Sequence, residues 1–335
     1  MTLHLALNAV KTGRANSDDI VALPPETWAE NQPPRSSLMF LGRNQTVTLG
    51  ELLLGMAVSS GNDAAVATAL HLAPTLEAFV AMMNAEAGRL GLPSTRFTEP
   101  AGVAPENTTT AMDYARFCKV YIDEHPESLI LLHSAESFAY PRAVNTAPDM
   151  PRTIVQYNRN TLLQKIPGAD GLKTGFINEA GFNLALTARN GETRLIAILL
   201  GASSEEERDR DGEALIGWGF ANFKTMRPLV ELLPSIRIWS GKEKYASLKL
   251  IDNLPFTSSR HRAGLILIET ELYPYLKAPL VAGTQCGTLV ISDEIGCLRR
   301  LPMVLEKDAA RGNFFQVFFD AVRLFFHKHF GRGSG

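Results

Sequence analysis

Apolar residues recur at helical spacing along the first part of the chain and alternate along the rest. Leu3, Leu7 and Val10 predict a helix over 3–11, closed by Gly13. It has no capping residue at its start. Residues 14–47 are polar and rich in proline, with little periodicity. So long an irregular excursion in a compact domain is often functional. Thr48 with Glu51 three positions on makes a capping box, so a helix is expected from Leu49 to Val58. The chain then turns through Ser59-Ser60-Gly61-Asn62, and Asp63 is expected to cap a helix over Ala64–Leu72. Thr75 caps a third helix, whose stripe of Phe79, Met82, Met83, Ala87 and Leu90 ends at Gly91. A loop over 94–110 leads to a helix from Ala111 to Asp123, and Pro126 starts a short one.

Alternation then takes over. Segments 137–140 and 152–157 read as strands. Segments 182–189 and 192–200 read as a hairpin joined by Asn190-Gly191. A charged helix from Ser204 to Phe223 follows. Helices, an antiparallel sheet and a closing helix predict one α+β domain, taken as residues 1–227. From 228 to 310 the segments 236–239, 245–250, 264–271, 280–283, 287–292 and 301–305 predict a small all-β domain. Residues 311–335 differ again. Phe315, Phe318, Phe319, Val322, Phe325, Phe326 and Phe330 share one helical face, with Asp320, Arg323, His327, Lys328 and Arg332 as the polar remainder. Such a helix over 312–330 suits a bilayer interface or docks on its own protein, and the density of phenylalanine favours the membrane.

The 335 residues and 45% hydrophobic content support a sizeable core, and a net charge of −2 gives no electrostatic case for nucleic acid. Cys118, Cys286 and Cys297 lack metal-ligand spacing, and no metal or cofactor is expected. A Cys286–Cys297 pair is one possibility; three inert thiols is the simpler expectation. No stretch is long and apolar enough to span a bilayer, and Met1-Thr2-Leu3-His4 does not open a signal peptide.

Lys173-Thr174-Gly175 places an ammonium, a hydroxyl and a glycine side by side on an extended segment. Lysine and threonine can bind a carboxylate, and glycine lets another backbone come close. Ser60-Gly61-Asn62, in a turn between helices, can pass a proton and hold a substrate amide. Either tripeptide alone is ordinary turn or strand composition. Together and in this order they resemble the penicillin-interacting serine enzymes, whose elements are Ser-x-x-Lys, Ser-x-Asn and Lys-Thr-Gly. Ser36–Leu41, Asn158-Arg159-Asn160, Asp170–Gly175, Ala180–Asn183, Trp218-Gly219-Phe220 and Gly312–Phe315 are spaced to match. The chain thus resembles a low-molecular-mass penicillin-binding protein of the serine-type D-alanyl-D-alanine carboxypeptidase family over nearly its whole length.

That resemblance implies an acyl-enzyme mechanism on stem peptides ending in D-Ala-D-Ala, inhibition by β-lactams, and a periplasmic site on the outer face of the cytoplasmic membrane. Ser60 would relay a proton to the leaving D-alanine, and Asn62 would orient the substrate amide. Lys173, Thr174 and Gly175 would line the carboxylate site, with Arg208 assisting. Arg159 matches a family arginine near the site, or serves a structural salt bridge. The Phe176 N–H would complete the oxyanion hole with that of the nucleophile; relatives carry histidine at this position. The family's nucleophile motif continues into Met-Thr, which here is Met1-Thr2. The serine and its lysine base are therefore expected upstream of the given chain, and no Ser-x-x-Lys occurs within it. A truncated, inactive polypeptide is the expectation. A non-catalytic peptidoglycan binder of the same fold and, more remotely, a β-lactamase with Glu99 or Glu106 as deacylating base are the alternatives.

Overall fold

The computed structural model describes residues 1–146, 153–228, 233–252, 254–262 and 265–330. Residues 152 and 264, expected to open strands, and residues 331–335 lie outside these. Two compact units divide at Gly219 and Phe220, against the 228 boundary expected from composition.

The first unit begins with α1 (Thr2–Lys11), then a two-stranded ribbon of β1 (Ile20–Val21) and β2 (Val47–Thr48). The irregular excursion therefore starts and ends on one ladder. Next come α2 (Leu49–Val58), α3 (Asn62–Leu72), α4 (Leu76–Arg89) and α5 (Ala111–Glu124). The expected capping box is present: Thr48 Oγ1 accepts from the Glu51 N–H at 3.2 Å, and the Thr48 N–H donates to Glu51 Oε2 at 2.9 Å. Thr75 and Thr110 cap α4 and α5 by the side-chain bond alone, accepting the N–H groups of Ala78 and Asp113. The apolar face of α2 is almost completely buried. Leu49, Leu52, Leu53 and Met56 form a core with Met39, Leu41 and Val47.

Asp63 does not cap α3. Gly61 is the N-cap, and no side chain caps the helix. The Asp63 carboxylate instead accepts N–H groups from Met39 and Phe40 at 2.8 Å and Leu41 at 3.0 Å. Three converging backbone donors in a dry site are worth more than one cap bond.

A wide helical turn, Leu129–His133, leads to the hairpin of β3 (Ser137–Tyr140) and β4 (Ile154–Tyr157). After the short α6 (Leu162–Lys165), an antiparallel sheet forms in the order β5 (Ala169–Ile177), β6 (Gly181–Asn190), β7 (Thr193–Ala202). Asn190 pairs with Thr193, so the tight turn is Gly191-Glu192, with Gly191 at φ +58°. It is one residue later than Asn190-Gly191. A glycine is required just before β5: Gly168 has φ +79°, and a Cβ there would lie 2.1 Å from the Arg189 carbonyl oxygen. Arg194 holds the start of β5 to β7 through both oxygens of Asp170, each at 2.7 Å. α7 (Glu205–Asn222) follows.

In the second unit β8 (Phe223–Met226) pairs with β12 (Phe256–Ser259), so the chain leaves the helix before residue 223. β9 (Ile236–Trp239) lies between β10 (Tyr245–Ala246) and β14 (Leu276–Lys277). The largest sheet has the order β11 (Leu248–Leu250), β16 (Gly296–Leu305), β15 (Gln285–Asp293), β13 (Leu267–Leu272). Segment 280–283, expected as a strand, makes only an isolated bridge from Leu280 to Ala309. It sits beside Gly283 at φ +84°, which breaks the extended run. Cys118, Cys286 and Cys297 are all free thiols.

The unit ends in α8 (Phe314–Phe330). Its buried Asp320 accepts from Arg237 Nη2 at 3.0 Å and from the Ser240 N–H at 2.8 Å. Arg237 in turn lies 4.1 Å over the Trp239 ring. The phenylalanines point the other way: Phe314, Phe315, Phe318, Phe319, Phe325 and Phe326 are all exposed. The side that carries Asp320, with Val317 and Leu324 half-buried, docks, and the phenylalanines are left open.

Asp320→Ala leaves the Ser240 N–H and the partly exposed Arg237 without an acceptor. We expect a loss of about 1–2 kcal/mol in the second unit, read by denaturant unfolding, with α8 the first segment cleaved in limited proteolysis.

Candidate active site

Lys173 lies on β5, paired with Ala185 of β6, and Thr174, Gly175 and Phe176 pair with Leu184, Asn183 and Phe182. Ser60 lies at the turn between α2 and α3, with φ +60°. A non-glycine residue adopts that conformation at a cost and persists only when its surroundings fix it. They do so here. The Ser59 hydroxyl donates to the Gly55 carbonyl at 2.7 Å, and the Asn62 N–H donates to the Ser37 carbonyl at 2.8 Å. Gly61 packs so closely on the 39–41 loop that a Cβ would meet Met39 Cβ and N at 3.0 Å.

These two elements meet. Lys173 Nζ donates to Ser60 Oγ at 2.7 Å and to the Thr174 carbonyl at 2.7 Å. The ammonium has three N–H groups, so one is left to point at a ligand. Burial pulls the lysine down from 10.5 to about 7, and the positive charges of Arg159 and Arg208 push the same way. Near neutrality Lys173 can therefore either hold an anion or exchange a proton with Ser60.

His133, not singled out in the sequence, fixes the backbone before Lys173. Its Nδ1–H donates to the Leu172 carbonyl at 2.9 Å, and the Tyr121 hydroxyl donates to Nε2 at 2.7 Å. Burial lowers His133 to about 4, which keeps the ring neutral with one donor and one acceptor. Asn160, buried, donates to the Gly171 carbonyl at 3.3 Å. Long-range partners such as these leave no local pattern in the sequence.

The remaining expected residues divide. Asn62 is buried at the first position of α3. Thr174 is buried, and Phe176 is exposed with its ring 4.4 Å from that of Phe182. A Cβ at Gly175 would meet nothing within 4 Å, so the protein's own packing does not demand a glycine there. Arg159 is exposed, whereas Arg208 is 2% exposed. Arg208 Nη2 lies 2.8 Å from Asp209 Oδ1 but finds no acceptor in hydrogen-bonding line. Both arginines reach Lys173 through their charge.

A cavity of about 250 Å³ opens beside Ser60, Gly61 and Lys173, bounded by the start of α1 and by residues 99–102. Glu99 spends its carboxylate on that loop. Its oxygens accept the N–H groups of Ala101 at 2.5 Å, Gly102 at 2.6 Å and Val103 at 2.8 Å.

A family model described as D-alanyl-D-alanine carboxypeptidase matches residues 1–204. The chain belongs to the D-alanyl-D-alanine carboxypeptidase family. It is 32% identical over 338 residues to the D-alanyl-D-alanine carboxypeptidase DacC of Escherichia coli K12, covering 99% of this chain and 82% of DacC. Penicillin-binding protein 5 from Haemophilus influenzae superposes with a TM-score of 0.78 at 30% identity, covering 92% of this chain and 88% of that one. Penicillin-binding protein D2 from Listeria monocytogenes, in its cefotaxime-bound form, has a TM-score of 0.56 at 29% identity, covering 65% and 83%. The carboxypeptidase fold expected from the two tripeptides, helices with an antiparallel sheet, is the fold observed.

A lysine lowered by burial binds fewer protons than its unfolded counterpart, so it opposes folding most at low pH. That penalty is complete below about 7 and fades as the pH rises towards 10.5. Lys173→Met should therefore raise Tm relative to the unsubstituted chain more at pH 6 than at pH 9. An advantage that does not narrow with pH would contradict the burial effect.

Proposed function

We propose that this chain supplies the substrate-holding and proton-relay wall of a serine-type D-Ala-D-Ala carboxypeptidase acting on peptidoglycan stem peptides. The observation that carries the reading is the bond from Lys173 Nζ to Ser60 Oγ, set within the field of Arg159 and Arg208. The terminal carboxylate of D-Ala-D-Ala meets Lys173 and the Thr174 hydroxyl, and Arg208 strengthens the positive field from behind. The open space at Gly175 admits the peptide backbone. Asn62 orients the substrate amide, Ser60 hands a proton to the departing D-alanine, and the Phe176 N–H faces the scissile carbonyl oxygen. Arg159 lies at the exposed rim. β-Lactams, which carry a carboxylate beside a strained amide, compete for the same wall.

Acyl transfer in this family needs the serine and lysine of Ser-x-x-Lys, and no such tetrapeptide occurs in these 335 residues. The chain by itself binds without forming an acyl-enzyme. Calorimetry with a peptide ending in D-Ala-D-Ala should give saturable binding that weakens about tenfold or more when the peptide is amidated or Lys173 is replaced by Ala. Equal affinity for the amidated peptide would remove the carboxylate role. A covalent adduct with labelled penicillin at any residue would refute the non-acylating reading. The β-lactamase alternative is less well supported, because Glu99 is committed to three backbone N–H groups.

The exposed phenylalanine face of α8 supports peripheral attachment to a bilayer, and a cell-wall substrate would make that bilayer the cytoplasmic membrane at its outer face. No single helix among the described residues is long and apolar enough to cross a membrane. The full chain should co-float with phospholipid vesicles, and removal of residues 312–335 should release it. Equal flotation of both forms would end the anchor proposal.

A further inference from the structure

The geometry points to a divalent-cation site of the zinc class, made by His4 of α1 with Glu124 and His125 at the C-terminal end of α5, and with Glu86 of α4 orienting His4. One ligand atom from each of His4, Glu124 and His125 lies within 4.8 Å of the other two. Residue 4 is too far from 124 and 125 in sequence for any motif to link them.

The cluster is more than a group of polar neighbours. His4 and His125 are both completely buried. Among the described residues neither ring nitrogen of His125 has a hydrogen-bond partner, and His4 Nδ1 has none either. Buried polar atoms are normally satisfied, so three such nitrogens in one place require a reason. Packing explains where the rings sit but not this vacancy of partners. The two imidazoles meet edge-on with centroids 5.2 Å apart, and the ring of Tyr121 lies close to both.

Glu86 Oε1 lies 2.8 Å from His4 Nε2, the Asn8 side-chain amide lies 3.0 Å from it, and Glu124 Oε2 lies 3.8 Å from it, so Nδ1 is the ring nitrogen left for an ion. A carboxylate that accepts one N–H of a histidine leaves the other ring nitrogen with its lone pair available. This is how metal-bound histidines are commonly oriented. Arg89 Nη2, 2.6 Å from Glu86 Oε1 and 3.7 Å from Glu124 Oε1, balances part of the acidic charge. Lys11 is occupied by the Glu124 carbonyl at 2.9 Å. Two imidazoles and a carboxylate form a donor set suited to Zn²⁺ and its borderline neighbours. Bonds of about 2.0–2.1 Å in a tetrahedron put ligand atoms about 3.3 Å apart. Side-chain rotation would have to close the present spread. Glu124 is one-third exposed and provides the way in. The bound ion would tie α1 to α5, so its role is structural.

The test uses the full chain after dialysis against a chelator. Titration with Zn²⁺ against a chromophoric competitor should give one saturable equivalent. Co²⁺ should give the visible d–d absorption of a protein-bound ion. His125→Gln and His4→Asn should each weaken Zn²⁺ by about 100-fold or more, and Glu86→Gln by about tenfold. Zn²⁺ at a hundredfold excess over its Kd should raise Tm by about 5 °C. Absence of saturable Zn²⁺ binding, or unchanged affinity in folded His125→Gln, would overturn the site. If the variants do not fold, the Co²⁺ spectrum of the unsubstituted chain decides. A spectrum of the aqueous ion alone would overturn it.

Discussion

The bond between Lys173 Nζ and Ser60 Oγ crosses 113 residues and is the point where the helical and sheet parts of the first unit meet in chemistry. A neutral-context hydrogen bond contributes only about 1 kcal/mol net, so it cannot hold these elements together. It exists because both ends are fixed independently. Asp63 fixes the serine side by gathering three N–H groups of the 39–41 loop against the turn. His133 fixes the lysine side by holding the Leu172 carbonyl. The Asp170–Arg194 pair keeps the start of β5 in register with its sheet.

Within this frame two buried groups are shifted away from their charged forms. Burial raises the carboxyl of Asp63, even though backbone donors from Met39, Leu41, Ala64 and Phe40 oppose it. Burial lowers Lys173, and two arginines deepen the effect instead of relieving it. No opposing charge is among the causes that set Lys173, so an incoming carboxylate would be its natural counter-ion. A site with a built-in anion would hold the lysine fully charged and leave little to gain on binding.

The second unit follows a different logic. Its sheet is stabilised by alternating apolar residues, with Leu289, Ile291, Leu301 and Met303 buried in one cluster. Its terminal helix is held chiefly by the buried carboxylate of Asp320, while the aromatic face stays in solvent. That inversion of the usual burial pattern makes α8 a surface element with an unfilled apolar face.

Much of this was legible beforehand because local physics dictates it. The capping threonines, the stripes of α2 and α4 and the alternation of β6 and β7 act within a few residues, so their spacing survives in the sequence. Ser60-Gly61-Asn62 and Lys173-Thr174-Gly175, each ordinary alone, were recognisable only through the resemblance that their order and spacing bear to a known family. The role of Asp63, by contrast, was misjudged, because a helix cap and a carboxylate serving a distant loop look identical in one dimension. The segment 280–283 had strand composition but pairs only at Leu280 with Ala309 before Gly283 turns the chain. His133, the partner of Asn160, and the gathering of His4 with His125 were illegible, since each depends on contacts between residues remote along the chain. Spacing along the chain carried most of the elements and the residue types available for chemistry. Which side chains lose water and come together depends on contacts remote along the chain, and desolvation at close range is what lowers Lys173 beside Ser60.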